Sequence, residues 1–202
     1  MLSAIEMFAL IAFAVSGTTA ALGAEMDFAG MCFVAGVSAF GGGTIRELLF
    51  DDRLFFWVEQ DGLLWLVIAL CLVCSFFIRK SHVELTEKWI QILDAVGLGL
   101  FAALGTQVAL IEGASVPVAI LTGVISSTLG GVLRDTFCNV VPKVFSDHQP
   151  DVILAVFGSI IVVGFDAVHI TPALGLILAV GVTTVGRLLV LSLNLSIPAW
   201  RT

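Results

Sequence analysis

The chain has 202 residues, of which 59% are hydrophobic and only 12% charged, and its mean hydropathy of +1.11 is far above that of water-soluble domains, where about a quarter of residues carry charge. The formal net charge of −7 comes from acids gathered in short polar stretches with no basic stripe, which excludes nucleic acid as a partner. Apolar runs of roughly 15 to 22 residues, in place of alternation at every second residue, indicate an all-α integral membrane protein and exclude an outer-membrane barrel.

The first predicted span runs from Ser3 to Leu22. It has no basic start and carries Glu6 and Ser16-Gly17-Thr18-Thr19, so it reads as a membrane helix and not as a cleaved leader. The second span, Phe28 to Leu49, contains Gly41-Gly42-Gly43-Thr44-Ile45-Arg46-Glu47. Glycine inside a helix costs about 1 kcal/mol against alanine, so this helix is expected to bend, loosen or break there. The polar stretch Asp51 to Gly62 follows, with Phe55, Phe56 and Trp57 placed as an interfacial aromatic anchor. The third span, Leu63 to Ile78, is the most uniformly apolar, is expected to face lipid, and stops at Arg79-Lys80. Cys71 and Cys74 have metal spacing but no neighbouring His or second Cys pair; with Cys32 and Cys138 they read as small packing residues.

Ser81 to Lys88 is the longest polar stretch and is expected to be a connection. The fourth span takes Trp89 to Ile111 and includes Asp94. The fifth, Val116 to Val141, carries Ser126-Ser127-Thr128-Leu129-Gly130-Gly131-Val132-Leu133-Arg134-Asp135. The sixth, Val152 to Phe165, is short for a hydrocarbon core of about 30 Å unless Asp151 and Asp166 stand at its ends. The seventh, Pro172 to Leu195, contains Arg187.

An ungapped offset of 88 residues aligns Glu6 with Asp94, Phe13 with Phe101, Gly17 with Gly105, Thr18 with Thr106, Gly42 with Gly130, Gly43 with Gly131, Arg46 with Arg134 and Glu47 with Asp135. The matches fall on polar and glycine positions, whereas chance agreement between apolar segments would fall on Leu, Val and Ala. The predicted organisation is therefore a three-helix repeat over residues 1–80, a second over 81–170, and an added seventh helix over 171–202. An odd number of spans per repeat makes the second copy enter from the opposite side, so the repeats are inverted. Arg79, Lys80, Lys88, Lys143 and Arg201 against Arg53 alone put the N-terminus outside and the C-terminus in the cytoplasm.

Inverted repeats with interrupted helices place a pathway between them. Loosened glycine turns expose carbonyl oxygens that replace part of the water shell of a monovalent cation, and Ser126, Ser127 and Thr128 add hydroxyls. Potassium or sodium ions passing near Gly42 and Gly130, and membrane lipids, are the expected partners, with no cofactor. The alternative is that the glycines merely let helices approach closely. Arg46 and Arg134 have two readings as well: each pairs with an acid, Glu47, Asp135 or Asp94, or each binds a substrate carboxylate. Glu6 and Asp94 either sit solvated at helix ends or belong to the pathway. Arg187 reads as structural, His169 reads as a solvated surface histidine with a role in gating as the alternative, and His82 and His148 have no metal-ligand partners at useful spacing. No catalytic triad, zinc set or phosphate loop is present, so the chain is not read as an enzyme.

Two inverted three-span repeats with GGG-x-x-R-E in the second span and GG-x-x-R-D in the fifth resemble the prokaryotic trimeric intracellular cation channels, a family also described as glycine transporters. The resemblance implies homotrimers in the bacterial plasma membrane. It also implies one potassium-conducting pore per protomer, lined by the first, second, fourth and fifth spans. Residue by residue, it puts Gly41, Gly42, Gly43, Gly130 and Gly131 at helix kinks and Arg46, Arg134 and Asp135 beside the pathway. Secondary transport of glycine or a similar small amino acid is the second function that this family description implies.

Overall fold

The computed structural model describes residues 2–50, 55–77, 83–146 and 150–193. Among these residues the chain is helical throughout: α1 (Leu2–Gly23), α2 (Phe28–Phe50), α3 (Phe56–Glu59), α4 (Gly62–Phe77), α5 (Val83–Ile111), α6 (Val116–Phe137), α7 (Lys143–Ser146), α8 (Asp151–Ala167) and α9 (Pro172–Ser192). Segments of α1, α2, α5, α6 and α9 are long and apolar enough to cross a membrane. α4 and α8, at 16 and 17 residues, rise only about 25 Å and fall short of the hydrocarbon thickness.

Two boundaries differ from the sequence expectation. The stretch from Val83 to Lys88 is not a connection but the first turns of α5, since Glu, Leu and Lys are good helix formers and the polar run simply extends the apolar one. α6 ends at Phe137, ahead of Val141, because Asn139 takes a left-handed conformation and Val140 N–H donates back to the Asp135 carbonyl. The same stop closes α1 and α5. Met26 N–H donates to Ala21 and Ala114 N–H to Ala109, with Glu25 and Gly113 at positive φ between them. These two stops are 88 residues apart at every atom involved.

Four helices form a ring. α1 packs against α2 and α5, and α6 against α2 and α5, while contacts across the diagonals are sparse. α4 covers α1 and α2 on one flank, and α8 and α9 cover α5 on the other. α1 and α5 run antiparallel: Ser16 meets Asp94, and Phe13 meets both Gly97 and Phe101. α2 and α6 also run antiparallel, with Phe33 against Phe137, Ser38 against Gly130 and Gly42 against Ser126. Two buried threonines are held by their own helices: Thr18 donates to Ala14 O and Thr106 to Ala102 O, both at 2.8 Å, which satisfies these hydroxyls among apolar neighbours.

Candidate functional site

Both glycine motifs lie within unbroken helix: α2 continues through Gly41, Gly42 and Gly43, and α6 through Gly130 and Gly131. The expected break, with its freed carbonyl oxygens, is therefore absent from these described segments. What the glycines do is admit the opposite helix. A Cβ on Gly42 would collide with the carbonyl oxygen of Ser126, and one on Gly130 with that of Ser38. These contacts are reciprocal, since Ser38 and Ser126 are themselves 88 residues apart. Gly17 and Gly105 complete the crossing, since a Cβ added at either would stand only 3.0 Å from the Cβ of Ser38 or Ser126 respectively. Small residues at a crossing let backbones meet without a hydrophobic driving force.

Gly41 sits under the Leu133 side chain, and Gly43 under the ring of Phe56. The latter contact corrects the reading of Phe55 to Trp57 as an interfacial anchor. Phe56 is buried in the bundle beside Phe40, and Trp57 Nε1 donates to Thr44 Oγ1 at 3.0 Å, so α3 folds inward onto α2.

Arg46 is buried and its Nη2 donates to Glu6 Oε1 at 2.7 Å and to Glu47 Oε1 at 3.1 Å. Glu47 turns its other oxygen to the backbone N–H of Phe56, 3.0 Å away. Arg46 Nε and Nη1 have no partner among the described residues. Arg134 repeats this arrangement more completely. Its Nη1 donates to Asp94 Oδ1 at 2.5 Å and to Ser16 Oγ, while Nε and Nη2 donate to Asp135 Oδ1 at 2.8 and 2.7 Å. Ser16 in turn donates to Asp94 at 2.7 Å. Asp135 Oδ2 accepts the backbone N–H of Lys143 at 3.0 Å, as Glu47 accepts that of Phe56. Each arginine thus faces two carboxylates, one from the preceding long helix of the ring and one from the next residue, and the second carboxylate also holds the start of a short helix.

The clusters differ in their surroundings. The Arg134 cluster opens onto a recess lined by Phe13, Ser127, Thr128, Gly131, Lys143 and Arg187. Ser127 and Thr128 satisfy their hydroxyl protons on Val124 O, whereas Ser126 is fully buried with no partner for Oγ among the described residues. At the edge of this recess Arg187 on α9 pairs with Asp151 at the start of α8, 2.8 Å apart. The residue 88 positions before Asp151 is Leu63, so the first half has no equivalent pair.

Sequence reasoning reached Arg46, Glu47, Asp94, Arg134 and Asp135, and the structure brings these into two clusters. Glu6 was reachable through the offset that equates it with Asp94. Ser16, Asp151 and Arg187 were not assigned to a cluster, because they lie outside the repeated motif. Of the basic residues used to orient the chain, Arg53, Arg79, Lys80 and Arg201 lie outside the described residues, as do His82 and His148.

The family model described as "Glycine transporter" matches the chain twice, over residues 3–79 and 91–167, two stretches that begin and end 88 residues apart. A UPF0126 membrane protein of Vibrio cholerae is 35% identical over 144 residues, covering 71% of this chain; the alignment spans 60% of that relative's length. The UPF0126 membrane protein YvgT of Bacillus subtilis is 32% identical over 161 residues, 80% of this chain and 79% of the relative. Among solved structures, the trimeric intracellular cation channel orthologue from Rhodobacter sphaeroides superposes with a TM-score of 0.89 at 32% identity, covering 96% of this chain and 98% of that one.

Proposed function

The chain belongs to the family described as glycine transporters and shares its fold with a trimeric intracellular cation channel, and from that premise we propose that it is a bacterial channel for monovalent cations, chiefly potassium. The pathway runs through the ring of α1, α2, α5 and α6, one per protomer of a homotrimer. The two halves are inverted repeats of three spans, with α9 as the seventh span. Antiparallel packing of α1 on α5 and of α2 on α6, with reciprocal glycine contacts, supports this inversion. The N-terminus faces outward and the C-terminus the cytoplasm, and the glycines of α2 and α6 are where these helices flex.

The observation that carries the reading is the charge count at the two ends of the ring. A bare guanidinium would repel a cation, but Arg46 faces Glu6 and Glu47, and Arg134 faces Asp94 and Asp135. Around Arg46 two carboxylates against one guanidinium leave a net negative charge, which attracts cations, and around Arg134 the recess balances Asp94, Asp135 and Asp151 against Arg134, Lys143 and Arg187, so neither guanidinium stands bare before a cation. Ser126, Ser127, Thr128 and the buried Ser38 supply oxygen between them. Single-channel recording of the purified protein in a planar bilayer under a potassium gradient tests this. Discrete ohmic openings that reverse near the potassium potential are expected, and a folded protein that stays silent overturns it.

A second reading, transport of glycine or a similar zwitterion, is favoured by one observation. Arg46 keeps Nε and Nη1 unpartnered among the described residues, which suits a small carboxylate. Saturable counter-flow of labelled glycine in liposomes, with no openings in the bilayer, would establish it.

A further inference from the structure

Phe13 on α1 and Phe101 on α5 stand 88 residues apart in sequence and meet in space, with ring centroids 5.5 Å apart and planes tilted by 35°. Both are enclosed, at 3% and 0% exposure. Glu6 precedes Phe13 by seven residues and Asp94 precedes Phe101 by seven, so each carboxylate lies about 10 Å along its helix from the phenylalanine of that helix. Because α1 and α5 run antiparallel, the two carboxylates fall on opposite sides of the rings. In a pair of inverted repeats, residues that touch their own equivalents lie on the axis relating the halves.

Phe13 does not stay within the seam between α1 and α5. Its ring reaches α6, the helix diagonally across from α1, where a Cβ on Gly130 would stand 3.5 Å from Cδ1 and Cε1. Gly97 makes room for it, since a Cβ there would lie 2.6 Å from Cε2. The recess that carries Asp94, Ser127 and Arg134 also has Phe13 in its lining, so the charged entrance ends against an aromatic ring. Ser38 and Ser126, with hydroxyls unpartnered among the described residues, stand on α2 and α6 at the helix crossing. Buried hydroxyls ordinarily find a partner, so these two offer hydration to a passing ion that the rings do not.

The geometry points to Phe13 and Phe101 as the barrier to permeation, an apolar constriction that excludes water while the rings meet and conducts when they part. This rests on the channel reading above. Apolar constrictions gate by dewetting, and tilted aromatic pairs hold together by packing and quadrupole attraction. The arginines are not the barrier, because their charge is already compensated by the carboxylates around them.

The test is planar-bilayer recording in KCl of the full chain and of Phe13→Ser, Phe101→Ser and Phe101→Tyr. Each substitution places a hydroxyl at the constriction, and Phe101→Tyr keeps the ring, so it decides the matter if a serine variant does not fold. Open probability is expected to rise about tenfold, the factor given by a shift of about 1.4 kcal/mol in the closed-to-open equilibrium. The reversal potential should stay that of the unmodified protein, since selection lies with the carboxylates. If the unmodified protein conducts and the folded variants open no more often, the ring barrier is overturned and the channel reading stands. If the unmodified protein is folded and silent, the channel reading itself fails.

Discussion

The backbone of Gly42 lies so close to the carbonyl oxygen of Ser126 that no methyl group fits between them. Overpacking at a site that cannot relax costs about 1–3 kcal/mol, and here the obstacle is backbone. Gly42→Ala and Gly130→Ala are therefore expected to lower stability by about that amount each, read as a shift of the unfolding midpoint in detergent. Gly181→Ala, where a Cβ meets nothing within 4 Å, is the matched control and should be neutral or slightly stabilising. An equal loss in all three would refute the close-crossing account.

Arg134 engages all three of its nitrogens, and its carboxylate partners are shielded, with side-chain exposures of 7% and 9%. Arg46 engages one nitrogen, and Glu6 and Glu47 are 20% and 17% exposed. Removing one member of a buried ion pair costs about 3–5 kcal/mol, because the partner charge is left without compensation. Arg134→Met should approach that figure, while Arg46→Met should cost less, because water reaches Glu6 and Glu47 more readily. Denaturation of the two variants in the same micelle measures the difference, and a larger loss for Arg46→Met would contradict it.

Neutralising one carboxylate of a cluster balances its charge. Glu6→Gln is expected to lower potassium conductance at low salt and to have little effect at about 1 M salt, where the Debye length is only about 3 Å. Conductance–concentration curves for the variant and the unmodified protein provide the check. A reduction that persists unchanged at high salt would mean that Glu6 acts through structure and not through its field.

Arg187 and Asp151 join α9 to α8 beside the recess. A double-mutant cycle with Arg187→Met and Asp151→Asn should give a coupling of about 0.5–3 kcal/mol, the range for residues in direct contact. Additive losses would show that the pair contributes nothing as a pair.

The repeat was legible because its matches fall on residues that are rare in apolar sequence: Arg46 with Arg134, Glu47 with Asp135, and Gly42 with Gly130. The acid adjacent to each arginine could be read directly, and the second acid followed from the offset. The role of the glycines could not be read, since the same residue both weakens a helix and admits a neighbour, and the close approach of the Ser126 and Ser38 carbonyls brings out the second only with the fold. Phe56 and Trp57 misled for a similar reason. Aromatics in a loop next to a span suit the lipid interface, but Gly43 provides a seat for Phe56 and Thr44 an acceptor for Trp57. Phe13 and Phe101 stood in the alignment as matched positions, yet nothing in one dimension says that matched residues touch. Arg187 has no counterpart at the offset, so its partner appeared only with the fold.

The reciprocal seating of Gly42 on Ser126 and Gly130 on Ser38 means that one set of contacts is written twice in a single chain. A polypeptide half this length, carrying Glu6, Phe13, Gly17, Ser38, Gly42, Arg46 and Glu47, would meet a second copy of itself inserted the other way up across those same contacts. The present chain makes within one polypeptide the contacts that such a pair would make between copies. The two sets of surroundings are not identical, since Asp151 and Arg187 stand beside only the Arg134 cluster and an aromatic ring covers Gly43 in the other half.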